Sequence, residues 1–433
     1  MKIEIEKMQT ISNDLKKWLN PTRHFIEIRN NGFKAVIKKL KNLALIGLAF
    51  LPAMIIRGLR PIVLIRFSPI QSASFGHLAI DQEIYLCKKE WKVGQPKKRC
   101  LDLFYHALPD KSYVVANSQL AKMWNRSRLP IFSFAKYLDT LNKVFPGHEP
   151  HILPMDKSTD RHGIVWKSKI HISFTKEEEK FGQEQLQKMG IDGPIVPFMN
   201  REAEYLKQRF HKCDTSYHNY RDTSVKHYKD AIEELAQIGY FCLRMGVTHA
   251  EDLPVNHSRI IDYALNYRTD FMDIFILSKC KFFLSASTGP ITVAALFRKP
   301  VAYVNVVSML CNVYEACAPY DLMIFKKYWC KDEKRFLSAK EIVNRGMAYF
   351  NRTELFVENN IELIENTSEE IRDLALEMHR RLNGEWQESE EEITLQNLFW
   401  SHVGLEEERK KGVPSFRIGA MFLQKNKWLL GLE

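Results

Sequence analysis

The sequence predicts an α/β protein with two doubly wound domains, each a parallel sheet covered by helices on both faces. Apolar, β-branched runs without alternation recur along the chain, as strands buried on both faces require. Stretches of helical periodicity separate them, which implies parallel pairing through crossover helices. The chain has 433 residues, more than one compact core accommodates and a natural length for two domains.

The first expected domain, 61–185, opens with the strand 61–67 (PIVLIRF) and the small-residue turn 72–79 (SASFGHLA), which leads into a helix. A strand at 111–116, a helix-like run at 131–144 and a strand at 169–174 continue the alternation, and the charged segment 175–189 closes it as a helix. The second domain, 190–385, begins after Gly193-Pro194 with the strand 195–199. A helix over 224–238 carries Ala231, Leu235 and Ile238 at helical spacing, with Gly239 as its stop. A strand 240–244, a helix 271–278, a strand 282–285, a helix over 291–297 and a strand 301–305 follow. Amphipathic helices at 338–350 and 368–382, the latter with Ser368 as N-cap, lead to a helical tail, 386–433, expected to pack back on the first domain.

Composition narrows the class. Hydrophobic residues make up 45% and charged residues 27%, a globular balance. Eight scattered cysteines form no CxxC pair, which argues against a zinc site or a disulfide scaffold and for a reducing, cytoplasmic setting. The net charge of +11 is concentrated at the start, where residues 1–60 hold twelve Lys or Arg against four acids. Within that segment, 43–56 (LALIGLAFLPAMII) is uncharged and flanked by bases. It is shorter than the roughly 20 residues of a spanning helix, and Pro52 is expected to interrupt it. Residues 34–60 therefore read as an anchor on an anionic membrane surface, or else as a buried helix of the first domain. No nucleic-acid partner is expected, because the charge adjoins an apolar run rather than interleaved aromatics.

The chemistry concentrates at predicted strand ends. In 282–290 (FFLSASTGP) a buried strand breaks into hydroxyl and glycine residues, and the following helix would offer free N–H groups to an anion. The same loop also suits an ordinary capped strand–helix connection. Arg201, Arg221 and Arg244 lie at or after the neighbouring strand ends, and guanidinium groups bind diphosphate oxygens bidentately. Arg244 is equally suited to pairing with Asp222. In the first domain, Gly76-His77 stands at the turn, with His77 suited to a general base and Asp81 and Glu83 as carboxylate alternatives. No Walker, HExxH, EF-hand or GxSxG pattern is present, and no metal-ligand cluster is visible.

These segments, in order, resemble a family of bacterial glycosyltransferases associated with surface-polysaccharide synthesis. The resemblance runs from about residue 60 to 386. It is carried by Gly76-His77-Leu78-Ala79, Asn200-Arg201-Glu202-Ala203-Glu204-Tyr205-Leu206, Tyr220-Arg221-Asp222, Arg244-Met245-Gly246, Asp270-Phe271-Met272-Asp273-Ile274, Ser287-Thr288-Gly289, Tyr303-Val304-Asn305 and Arg381-Leu382-Asn383-Gly384-Glu385-Trp386. The stretch Ser72–Phe75 departs from the pattern, which has Arg or Ile just before Gly-His. The resemblance implies a GT-B fold, two Rossmann-like domains facing an interdomain cleft, on the inner face of the cytoplasmic membrane. It implies a nucleotide-sugar co-substrate, a lipid-linked or glycan acceptor, and no permanently bound cofactor or metal. Arg201, Arg221, Arg244, Ser287, Thr288 and Gly289 would hold the donor, with Asp273 and Asn305 as further donor contacts. Gly76 would belong to the acceptor-side loop. The alternatives are a nucleotide-sugar 2-epimerase of the same fold and a non-catalytic, membrane-bound polysaccharide assembly factor.

Overall fold

The computed structural model describes residues 21–108, 114–209, 214–247, 251–310 and 318–432. Its principal helices are α1 (Pro21–Gly58), α2 (Phe75–Glu90), α3 (Ser118–Asn125), α4 (Ala135–Asn142), α5 (Lys176–Lys188), α6 (Lys229–Gln237), α7 (Asp270–Lys279), α8 (Ile291–Leu296), α9 (Ser368–Leu382) and α10 (Glu390–His402). The strands are β1 (Leu64–Gln71), β2 (Cys100–Ala107), β3 (Ile195–Met199), β4 (Phe241–Arg244), β5 (Ile260–Ile261), β6 (Phe283–Ser285), β7 (Val301–Val306), β8 (Leu322–Phe325), β9 (Lys327–Cys330), β10 (Arg335–Phe336), β11 (Ile361–Ile364) and β12 (Arg417–Ile418). They form two compact units built from non-contiguous segments. The first takes the chain to Gln71 with Gly94–Ala107 and Arg128–Met155; the second takes Ser72–Val93, Leu108–Ser127 and the chain from Asp156 onward.

In the first unit, β1 and β2 pair in parallel from Leu64 opposite Cys100 to Gln71 opposite Ala107. Single bridges set Ile152 beside Phe67 and Ile131 beside Phe104. Helix α1 runs unbroken through Pro52, contrary to the expected interruption. Its Ala49 and Ala53 are small enough to close onto Phe67, Tyr105, Ala135 and Leu138, which with them form one buried cluster.

The second unit is organised by a seven-stranded sheet in the order β12-β8-β7-β6-β3-β4-β5, parallel throughout. Strands β4, β6, β7 and β8 are buried along their whole length, as continuous apolar runs demand. From β3 the chain winds outward through β4 and β5, then returns to β6 on the other side of β3. The sheet is therefore doubly wound, with its switch point between β3 and β6. The chain is thus a mixed α/β protein with parallel sheets.

Two expectations about organisation change. A second doubly wound sheet does not form among the described residues. Of 111–116, residues 111–113 lie outside the described residues and 114–116 is not a strand; 169–174 is also not a strand. The carbonyls of Ser168 and Lys169 accept from the Arg298 guanidinium, and the His171 amide donates to Glu83, so that backbone has partners other than a sheet neighbour. The C-terminal tail belongs to the second unit rather than the first: β12 pairs with β8 at the sheet edge, and Gln396 of α10 bonds both the N–H and the carbonyl of Ile418. The cap of α9 is Thr367 rather than Ser368, reciprocally bonded with Glu370.

Candidate functional site

The carboxyl ends of β3 and β6 open into a cleft of about 650 Å³, in the size range of small-molecule sites. Every residue lining it belongs to the second unit. The structure brings Gly76, His77, Arg201, Arg221, Arg244, Asp273, Ser287, Thr288 and Gly289 to this cleft. Asp81, Glu83 and Asn305 do not line it.

The three arginines differ in kind. Arg244, 1% exposed, is enclosed by Glu202 at 3.3 Å, Asp262 at 3.5 Å and the Glu251 carbonyl at 2.7 Å. Its charge is compensated, and its acids are not the Asp222 considered from sequence. Asp222 instead pairs with Arg201, which also donates to the His218 carbonyl at 3.2 Å. Burial, with Arg221 nearby, pulls the Arg201 guanidinium down to about 10, so it stays charged at neutral pH. Arg221 donates to the Ser287 carbonyl, and among the described residues no carboxylate lies within ion-pair distance of it. A cation held against a polar loop and lacking an acid is suited to an anionic ligand.

The loop after β6 is fixed from both ends. The Ala286 amide donates to the Met199 carbonyl at 3.1 Å, and the Ser285 and Thr288 hydroxyls lie 3.1 Å apart. Helix α8 is only six residues long, and its first amides, of Ile291, Thr292 and Val293, already donate to Thr288, Gly289 and Pro290 carbonyls. The anion-binding capacity expected of that helix therefore shifts to the loop. The amides of Ser287, Thr288 and Gly289 have no acceptor among the described residues. Among the described residues the buried Ser287 hydroxyl has no partner. A Cβ on Gly289 would meet the Gly76 nitrogen at 3.4 Å and the Phe75 Cβ at 3.5 Å, so the two glycine turns abut. The Thr292 hydroxyl ties them, 3.2 Å from the Gly76 carbonyl.

The longer helix start at the cleft is that of α2. Ser74, Phe75, Gly76 and His77 line the cleft, and this 16-residue helix has no side-chain cap and no acid in its first turn. Its free amides and full macrodipole favour negative charge there. One turn along, Asp81 sits under His77 at i+4, with carboxylate oxygens 3.2 and 3.3 Å from His77 Nδ1. Asp81 is 4% exposed and accepts from the Ser158 amide at 2.8 Å and its hydroxyl at 3.2 Å. A carboxylate on Nδ1 holds the proton on that nitrogen and leaves the Nε2 lone pair as the base.

Glu83 faces another way on the same helix. Fully buried, it is held by Arg298 and lies 3.2 Å from His171 Nδ1. Ligand atoms of Glu83, Cys87 and His171 come within 4.8 Å of one another, a grouping invisible in sequence because His171 is remote from the other two. The Arg298 guanidinium, 3.8 Å from Cys87 Sγ, already answers the Glu83 charge. Burial and the Glu83 carboxylate push the Cys87 thiol up to about 12. Asn305 is 2% exposed with φ +53. Its amide and side-chain oxygen pair reciprocally with those of Asn366 at 2.6 Å, so it braces β7 rather than meeting a donor. Asp273 reaches the cleft but is anchored by Arg268 at 2.9 Å and the Tyr263 hydroxyl at 2.9 Å, with burial raising its carboxyl to about 6.

Sequence reasoning missed several lining residues. Lys157 and Ser158 form a turn with φ of +37 and +64, and no carboxylate among the described residues pairs with Lys157. His218 lies beside the arginines; burial first, then Arg221 and Arg201, pulls its imidazole down to about 4. Arg268 reaches the cleft from the segment before α7. The run of bases in 217–227 was the available signal for His218; the Lys157–Ser158 turn carries none.

No family model matches the chain, and no curated protein matches it. Among solved structures it is similar to the iron-containing dodecameric glycosyltransferase TibC from enterotoxigenic E. coli H10407, at 14% identity over 74% of this chain and 77% of that one, TM-score 0.32. It is also similar to a family 9 glycosyl transferase from Veillonella parvula DSM 2008, at 11% identity over 68% and 78%, TM-score 0.27. A third likeness is to the wall teichoic acid polymerase TagF, at 10% identity over 85% and 99%, TM-score 0.27.

Proposed function

We propose that the chain is a glycosyltransferase of GT-B type, with the seven-stranded sheet as its donor half. It moves a sugar from a nucleotide-diphosphate donor to a lipid-linked or polysaccharide acceptor in bacterial surface glycan synthesis. The observation that carries this reading is Arg221, a cation without an acid partner, set against the Ser287–Gly289 amides at the switch point. The family resemblance in the sequence supports it. In the reaction, the acceptor oxygen bonds to the sugar C1 as the C1–O bond to the diphosphate breaks. The acceptor proton passes to His77 Nε2, and the nucleoside diphosphate leaves with the bonding electrons. Arg221, the loop amides and the α2 start would stabilise the charge developing on it. Arg201 and Arg244 would frame the site through their acid partners, and Lys157 would add a second uncompensated cation.

Thermal stabilisation screened across UDP-, GDP-, CMP- and dTDP-sugars tests the donor class. A rise in melting temperature with a diphosphate sugar, and acceptor-dependent release of its nucleoside diphosphate, is the expected outcome. Inversion at the sugar C2 without any acceptor, with the nucleotide either kept in the product or released by hydrolysis with water, would replace the reading with a 2-epimerase. No stabilisation by any of them would favour a non-catalytic assembly factor.

A further inference from the structure

Helix α1 presents two unlike faces. One is docked from Asn42 to Arg57 onto the rest of the first unit. The Tyr137 hydroxyl meets Asn42 at 3.2 Å, Ala49 and Ala53 are sealed in the core, and Arg57 donates to Asn142 at 2.8 Å and stacks over the Phe145 ring. From Asn42 to Arg57 this is about 22 Å of helix. At about 100° per residue the opposite half of the circumference carries Leu40, Leu48, Leu51 and Ile55. They are 61, 68, 68 and 53% exposed, and no charged residue interrupts 42–56. The segment Leu40–Gly58 has a mean hydropathy of 1.6 and is long and apolar enough to cross a membrane.

Crossing is disfavoured by what the helix carries. The docked face holds a unit with a buried Arg66–Asp102 pair at 2.6 and 2.8 Å. The buried Asp139 carboxylate in that unit bonds to Tyr105 and Lys143. Taking such groups into hydrocarbon costs several kcal/mol per ion, whereas a helix lying flat leaves them on the aqueous side. The charge distribution agrees: Lys41 and Arg60 are exposed at either end of the apolar face, and residues 1–60 are strongly basic. We infer that α1 lies in the plane of an anionic lipid bilayer, with Leu40, Leu48, Leu51 and Ile55 in the acyl boundary and the first unit above it. This placement is independent of the glycosyl-transfer reading.

The test is co-sedimentation of the full-length protein with phosphatidylcholine vesicles, with and without phosphatidylglycerol. Wild type is expected to bind the anionic vesicles, lose that binding as salt rises, and be extracted by alkaline carbonate. Leu48→Glu/Leu51→Glu should lower the partition at least tenfold with an unchanged circular dichroism spectrum and melting temperature, and Lys41→Glu should weaken it to a smaller degree. Three outcomes would overturn the proposal. One is unchanged binding in the double variant; another is carbonate-resistant insertion, meaning a spanning helix. The third is light scattering that shows a lipid-free dimer which the double variant dissociates, meaning the face is covered by a second copy.

Discussion

At the scale of residues, the three arginines show what a sequence can and cannot say. The places of Arg201 and Arg244 at strand ends were legible, because strands and their ends follow from apolar runs, whereas Arg221 stands at the end of a 3-10 turn over Ser216–Arg221 and not at a strand end. The partners of Arg201 and Arg244 were not legible, since Glu202, Asp262 and Asp222 meet them only through the fold. The consequence is a ranking. Arg221→Ala should cost about 1.5–3 kcal/mol of donor binding, the worth of a charge-assisted bond, with little change in stability. Arg244→Ala should unfold more readily because it removes a buried guanidinium and leaves the half-buried Glu202 and Asp262 without that cation. Denaturant midpoints and donor titrations on the two variants separate these effects.

His77 and Asp81 lead to a second prediction. His77→Ala should reduce kcat by about 10²–10⁴-fold, and Asp81→Asn by about tenfold, with KM for the donor nearly unchanged in both. His218 gives a pH dependence. Its folded value of about 4 lies below the ordinary 6.5, so the unfolded chain binds more protons between them. Its contribution to stability is therefore complete above pH 6.5 and lost as pH falls toward 4. A bound diphosphate offsets the Arg221 and Arg201 charges that depress it, so binding should take up protons in that window. Calorimetry in buffers of different ionisation enthalpy reads this directly, and His218→Gln should remove the uptake.

At the scale of elements, the second-unit strands and helices were largely legible: 195–199, 241–244 and 301–306 fall where apolar runs predict. The misreadings have physical causes. The segment 169–174 has a strand's composition, yet Arg298 captures carbonyls at its start, and that capture is a long-range event. The sequence directs an anion to the start of α8, whose six residues close their own first amides, whereas nothing local marks the uncapped start of α2. The Arg298–Glu83 pair makes the element-scale prediction. Arg298→Ala leaves a fully buried carboxylate with His171 beside it but no guanidinium and should destabilise the second unit by about 3–5 kcal/mol in urea, whereas Arg298→Met with Glu83→Leu should recover most of the loss.

At the scale of the whole molecule, the doubly wound order of the second unit was readable because its βα alternation is regular, and its switch point falls where the sequence placed the Ser287–Gly289 loop. The joining of the C-terminal tail to this sheet was not readable, since β12 is two residues long and its pairing depends on β8 being an edge. The account stands on the switch-point cleft as a nucleotide-diphosphate site centred on Arg221. Isothermal titration of UDP, GDP, ADP and dTDP into the wild type and Arg221→Ala tests it most directly. The account predicts saturable binding of at least one of them by the wild type, weakened about tenfold or more in Arg221→Ala; no binding of any, or equal affinity in the two proteins, would contradict it.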